Sequence, residues 1–151
     1  MSALPKLFAH RLGRHYGADN SESALRRSLA GRTPGPVCGL ETDVCLTADD
    51  GLVLLHDPLL ALGTTLDGWV RQRTVSEIKG GRILDSAGLP TDEHPLALDD
   101  LLEIAPASVE LQLEVKAHAD PALARRTAEV LCERLADEPS RDRLELISFH
   151  R

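Results

Sequence analysis

Aromatic residues are scarce in this chain: two Phe, one Trp and one Tyr, 3% of 151 residues. Leu, Val and Ala must therefore fill whatever core it builds. Long apolar runs are missing too. No stretch approaches the roughly 18 apolar residues of a membrane span, and the start MSALPKLFAHR lacks a signal peptide's apolar centre. A cytoplasmic protein without stable membrane insertion is expected. Cysteine is limited to Cys38, Cys45 and Cys132, an odd number with no zinc or CxxC spacing, which predicts reduced, buried thiols. Positive charge is in deficit: the net charge of −7 argues against a nucleic-acid or anionic-membrane partner. Acids that hold a divalent cation can still bring in a phosphate.

What is there suits one soluble domain with a packed core, at 42% hydrophobic and 27% charged residues. Short apolar runs alternate with helical patterns. Strands are expected at 7–10 (LFAH), 37–46, 52–56 (LVLLH), 111–117 (LQLEVKA) and 144–149 (LELISF). Helices are expected at 21–31, capped by Asn20 or Ser21, near VSEIKG, at 96–105 and at 121–136. The TPGP stretch reads as a loop. Alternation of this kind argues an α/β fold with a mainly parallel sheet. One link departs from it. Only TADDG joins the strand of Glu41 and Asp43 to the strand ending at His56, too short for a helical crossover, and Asp50-Gly51 is a hairpin signal. A two-residue turn at Asp49 and Asp50 would set Asp43 opposite His56.

Side chains alternate faces along a strand. Gln112, Glu114 and Lys116 therefore share one face, with Leu111, Leu113 and Val115 on the other. Glu41 and Asp43 likewise share a face, opposite Leu40, Thr42 and Val44. A polar inner face and an apolar outer face suit a barrel sheathed in helices. Glu41, Asp43 and Glu114 could then converge, and three unpaired carboxylates are costly to bury together. A hard divalent cation such as Mg²⁺ or Ca²⁺ removes that cost, since it takes oxygen ligands. Taken singly, Glu-x-Asp reads as a solvated strand face, Glu-x-Lys as an ordinary ion pair, and His10 or His56 as a structural histidine.

The ordered set changes that reading: His10-Arg11, Asn20, Glu41-x-Asp43, His56-Asp57, Glu114-x-Lys116. Thr64-Thr65, the PLALDDLLE helix start and the ISFH segment follow the same order. The set resembles the glycerophosphodiester phosphodiesterase family, of the phosphatidylinositol-phospholipase-C-like superfamily. That resemblance implies a TIM-type (βα)₈ barrel, of which residues 1–151 would hold the N-terminal part with a small insertion at about 59–95. It implies hydrolysis of small-molecule glycerophosphodiesters to glycerol 3-phosphate and an alcohol, and so a role in lipid and glycerol metabolism. His10 and His56 would be the catalytic acid/base pair, and Glu41, Asp43 and Glu114 the ligands of a divalent cation. Arg11 and Lys116 would contact the substrate phosphate. Departures are Leu12 where the family usually has Gly, Ala18-Asp19 for Pro-Glu, and Ser21 for Thr.

A complete barrel of this type needs about 250 residues. The chain supplies about five strands, so an incomplete barrel is expected, C-terminally truncated and inclined to self-associate through its open sheet edge. Alternatives are an inactive remnant that keeps a metal or phosphate site, or a related phospholipase-D-like phosphodiesterase. His15, His94, His118 and His150 receive no role. Trp69 is expected to pack the insertion, with contact to substrate as the alternative, and Phe149 to lie in core or pocket wall.

Overall fold

The computed structural model describes residues 6–31 and 37–149, the side chains of Val37 and Cys38 excepted. The TPGP loop, the Cys38 thiol, His150 and the first five residues lie outside the described residues. Strands are β1 (Leu7–Ala9), β2 (Val37–Leu46), β3 (Leu52–Val53), β4 (Glu110–Val115) and β5 (Leu144–Ile147). Helices are α1 (Glu22–Ala30), α2 (Val75–Lys79), α3 (Leu98–Ile104) and α4 (Pro121–Leu135).

The parallel run is β1-β2-β4-β5, and β3 lies off it as an antiparallel partner of β2. Each step to the next parallel strand passes through a helix: α1, then α3, then α4. Such crossovers sheathe one side of the sheet. The β2/β4 register pairs Leu40 with Leu111, Thr42 with Leu113, Asp43 with Glu114 and Val44 with Val115. Leu40, Leu111 and Leu113 are fully buried with Leu12, Leu25, Leu101 and Leu131 in the main core. Because the pleat has period 2, the same register forces Glu41, Asp43 and Glu114 onto the other face.

Helix ends follow their sequence signals. Ser21 caps α1 by accepting the N–H of Ala24 at 3.2 Å. Asp120 caps α4 by accepting the N–H groups of Ala122 and Leu123, with Pro121 in the first turn. Thr74 and Glu77 form a capping box on α2. On α4 the buried residues Thr127, Val130, Leu131 and Leu135 recur at helical spacing.

The hairpin differs from expectation. Cys45 pairs with Val53 and Leu46 with Leu52, and Thr47 N–H bonds to Gly51 O at 3.0 Å. The turn therefore holds three residues, Ala48 to Asp50, with Asp50 left-handed at φ 54°. One extra turn residue slips the register by one, so the expected pairing of Asp43 with His56 does not form. The strand expected at 52–56 also stops at Val53, because Leu54 N–H turns to Leu96 O at 2.9 Å. His56 is thereby carried on a loop.

Residues 58–95 contain 3₁₀ turns at Leu60–Leu62 and Val70–Gln72, α2, and bridges Leu59–Trp69, Thr64–Ile83 and Leu84–Pro90. They bury a second core of Leu60, Val70 and Ile78 against Cys45, Val53 and Leu55. Two expectations fail on exposure. Cys45 is buried but Cys132 is exposed, on the outer side of α4. Phe149 is 90% exposed, since it follows β5 with no described element over it.

Candidate active site

The site begins with an unusual turn. Arg11, Leu12 and Gly13 have φ of 50°, 60° and 106°, three consecutive residues on the positive side. Gly is obligatory at 13, where a Cβ would lie 1.9 Å from Ser28 Oγ. Leu12 accepts the left-handed backbone at a cost of about 1–2 kcal/mol. It is fully buried in the main core, and its carbonyl accepts Ser28 Oγ–H at 2.8 Å. The turn delivers the Arg11 backbone N–H to Glu41 Oε2 at 2.8 Å.

Glu41, Asp43 and Glu114 are all buried, and one carboxylate oxygen from each lies within 4.8 Å of the others. Lys116 Nζ lies 2.7 Å from Glu114 Oε1 and 3.0 Å from Asp43 Oδ1. Arg11 reaches over from the opposite side, pairing with Asp19 and placing Nε 3.6 Å from Asp43 Oδ2. That separation is too long for a hydrogen bond, and buried Arg11 Nε has no other partner. Glu41 Oε1 also lacks a hydrogen bond, and Asp43 Oδ1 is met by the Lys116 ammonium alone.

Residues 35–142 match the glycerophosphoryl diester phosphodiesterase family, well over half of the chain. The chain belongs to that family. Among solved structures it is similar to an Oleispira antarctica phosphodiesterase in complex with the product sn-glycerol-3-phosphate. The identity is 26% and the TM-score 0.80, over 97% of this chain and 58% of that one. It is also similar to a glycerophosphodiester phosphodiesterase from Parabacteroides distasonis, at 26% identity and TM-score 0.74, over 96% of this chain and 56% of that one. The uncharacterized protein YqiK of Bacillus subtilis is 32% identical over 76 residues, covering 50% of this chain and 30% of that protein. The chain thus spans just over half the length of these solved relatives and less than a third of the curated one. Its parallel strands form an open, partial barrel of the TIM type found in the family.

Within this family member the donor set fits a hard divalent cation, because three buried carboxylates converge and Glu41 Oε1 has no hydrogen bond. Electrostatics agree. Burial pushes the Glu41 carboxyl up to about 7, with Asp43 and Glu114 adding to the rise against the Arg11 N–H. Burial works against the Lys116 ammonium, yet the Glu114 and Asp43 carboxylates outweigh it and hold its pKa above the ordinary value. Burial and the neighbouring Arg11 charge lower that of His10.

His10 Nε2 lies 3.9 Å from Glu41 Oε2, and the side chain is half exposed. His56 Nδ1 faces Asp57 Oδ1 at 3.2 Å. Arg11 and His56 both line a cavity of about 320 Å³, together with Arg14, Asp19, Asn20 and Ser86. The predicted carboxylates, Arg11, Lys116 and His10 are thus assembled at the sheet's inner face, while His56 joins from the loop through this cavity.

Asn20 gains a role that its place in the motif order did not supply. Its Nδ2 donates to Asp43 Oδ2 at 2.9 Å, its Oδ1 accepts Thr42 Oγ1–H at 2.8 Å, and its backbone is left-handed at φ 55°. Asn tolerates that conformation better than most residues, so one side chain can both turn the chain and clamp a carboxylate. Asp19, by sequence a mere loop departure, pairs with Arg11 and Arg14. His94 Nδ1 is held by Gly81 O at 2.7 Å, and His15 stacks edge-on against Tyr16. Among the described helices none is long and apolar enough to cross a membrane.

Proposed function

We propose that this chain carries the cation-dependent chemistry of glycerophosphodiester hydrolysis, releasing glycerol 3-phosphate and an alcohol. The observation behind this reading is the buried Glu41–Asp43–Glu114 cluster flanked by Arg11 and Lys116. The Oleispira relative's glycerol-3-phosphate complex supports the product. A bound divalent cation, Mg²⁺ or Ca²⁺, supplies positive charge where the phosphoryl oxygens become more negative in the transition state.

The chain's residues do the rest. Arg11 offers an unspent Nε–H and a guanidinium fork to phosphate oxygens, and Lys116 a compact charge on the other side. Asn20 and the Arg11 N–H hold Asp43 and Glu41 in place before substrate arrives. His10 and His56 take and give the protons that nucleophilic water and leaving alcohol require. A lowered pKa keeps the His10 imidazole neutral near pH 7, ready to accept. Asp57 at His56 Nδ1 leaves Nε2 for the second transfer. Location in the cytoplasm and self-association through the sheet edge remain part of this proposal.

The test is turnover of glycerophosphocholine, followed as released glycerol 3-phosphate, with Mg²⁺, with Ca²⁺ and with EDTA. Cation-dependent turnover that His10→Ala or His56→Ala lowers by about 10²- to 10⁴-fold is expected. Equal rates with cation and EDTA, or folded histidine variants at the parent rate, overturn the reading.

A further inference from the structure

Two cavities flank the loop that carries His56. The larger, with Arg11, Arg14 and Asp19, has a charged and hydrogen-bonding wall. The second, of about 210 Å³, lies past Pro58 and shares Lys116 with the acid cluster. Its other walls are largely apolar: Leu46, Val70 and Leu123, with Trp69 at 41% exposure and His118.

The second cavity is built, not left over. His118 and Ala119 hold φ of 46° and 68°, two adjacent non-glycine residues in the left-handed region. This turn sets the imidazole against the cavity, Nε2 3.9 Å from Cys45 Sγ. Its charged lining is Lys116, Arg71 and Asp120. Asp120 spends an oxygen on the α4 N–H groups, and Lys116 is engaged by Glu114 and Asp43. Arg71 adds a positive charge and the lining's one carboxylate is committed, so apart from the Trp69 ring the walls offer a cationic group no partner.

We propose that the Trp69–His118 cavity is the subsite for the alcohol arm of the diester, selecting an uncharged alcohol with an apolar body over a cationic or polyol one. The phosphate stays between Arg11 and Lys116, and the glycerol arm takes the polar cavity beside Arg14 and Asp19. The proposal rests on the phosphodiesterase reading, since it needs the anion at Lys116. Each methylene buried in such a pocket is worth about fourfold in affinity.

Trp69 is the single tryptophan, so its emission reports the cavity directly. The full chain with Ca²⁺ is titrated with n-hexyl phosphate, phosphocholine and inorganic phosphate. Hexyl phosphate should shift Trp69 emission to the blue, half-saturating at a concentration at least tenfold below phosphocholine. Leu123→Gln, at a half-buried helix position, should weaken hexyl phosphate about tenfold and leave inorganic phosphate within twofold. Equal concentrations for hexyl phosphate and phosphocholine, or unchanged emission with hexyl phosphate, overturn the proposal. Should Leu123→Gln unfold, the parent titration decides alone. Absence of turnover with any cation refutes the phosphodiesterase reading without altering these binding outcomes, so the two failures are distinguishable.

Discussion

Replacing Leu12 by Ala and by Gly separates packing from backbone strain at the turn that holds Glu41. Leu12 is fully buried and sits at φ 60°. Truncation to Ala should cost about 2–5 kcal/mol through lost contacts and the cavity left behind. Gly removes one more methyl but relieves the left-handed penalty of about 1–2 kcal/mol. Leu25 is the control: it is equally buried in the same core, on helix α1, where Gly is about 1 kcal/mol worse than Ala. The Gly-minus-Ala difference at 12 should therefore lie about 1–2 kcal/mol below that at 25. Urea unfolding followed by circular dichroism measures all four variants, with constant m-values as the condition for comparison. Equal Gly-minus-Ala differences at the two positions would refute the strain argument. So would a Leu12→Gly variant about 1 kcal/mol or more worse than Leu12→Ala, the ordinary penalty of glycine.

Other outcomes follow from the site. Asn20→Gly keeps the backbone at ease but removes the clamp on Asp43, so Ca²⁺ affinity by calorimetry should fall about 10- to 100-fold, and parent-like affinity contradicts the clamp. The Glu41 carboxyl is raised from 4.5 to about 7, so without cation its contribution to stability is complete below pH 4.5 and lost as pH rises through about 7. In EDTA, Tm should fall across that window, and Glu41→Gln should flatten the fall; an unchanged slope in the variant assigns it to another group. Alkylation mapped by mass spectrometry should label exposed Cys132 and spare buried Cys45 in the folded chain, and labelling of Cys45 first would place that strand differently.

The chain order of His10-Arg11, Glu41-x-Asp43 and Glu114-x-Lys116 was enough to name the cluster. Alternation along β2 and β4 is a local property, so the sequence determined that Glu41, Asp43 and Glu114 would share the inner face with Leu40, Leu111 and Leu113 behind them. The cap at Ser21 was equally local, because a cap depends on residues within one turn; those at Thr74 and Asp120 are of the same kind but were not among the expectations. The hairpin register was not. Three turn residues instead of two were decided by Asp50 accepting a left-handed backbone, and β3 ended because Leu54 found Leu96, a partner more than forty residues away. Phe149 and Cys132 could not be placed from hydrophobicity, since burial depends on which element lies opposite. Asn20's hold on Asp43, the Asp19–Arg11 pair and the Trp69–His118 cavity arise where distant segments meet. Period and capping act over a few residues and are written in the sequence; which oxygen faces which nitrogen across the sheet is settled only when the whole chain packs.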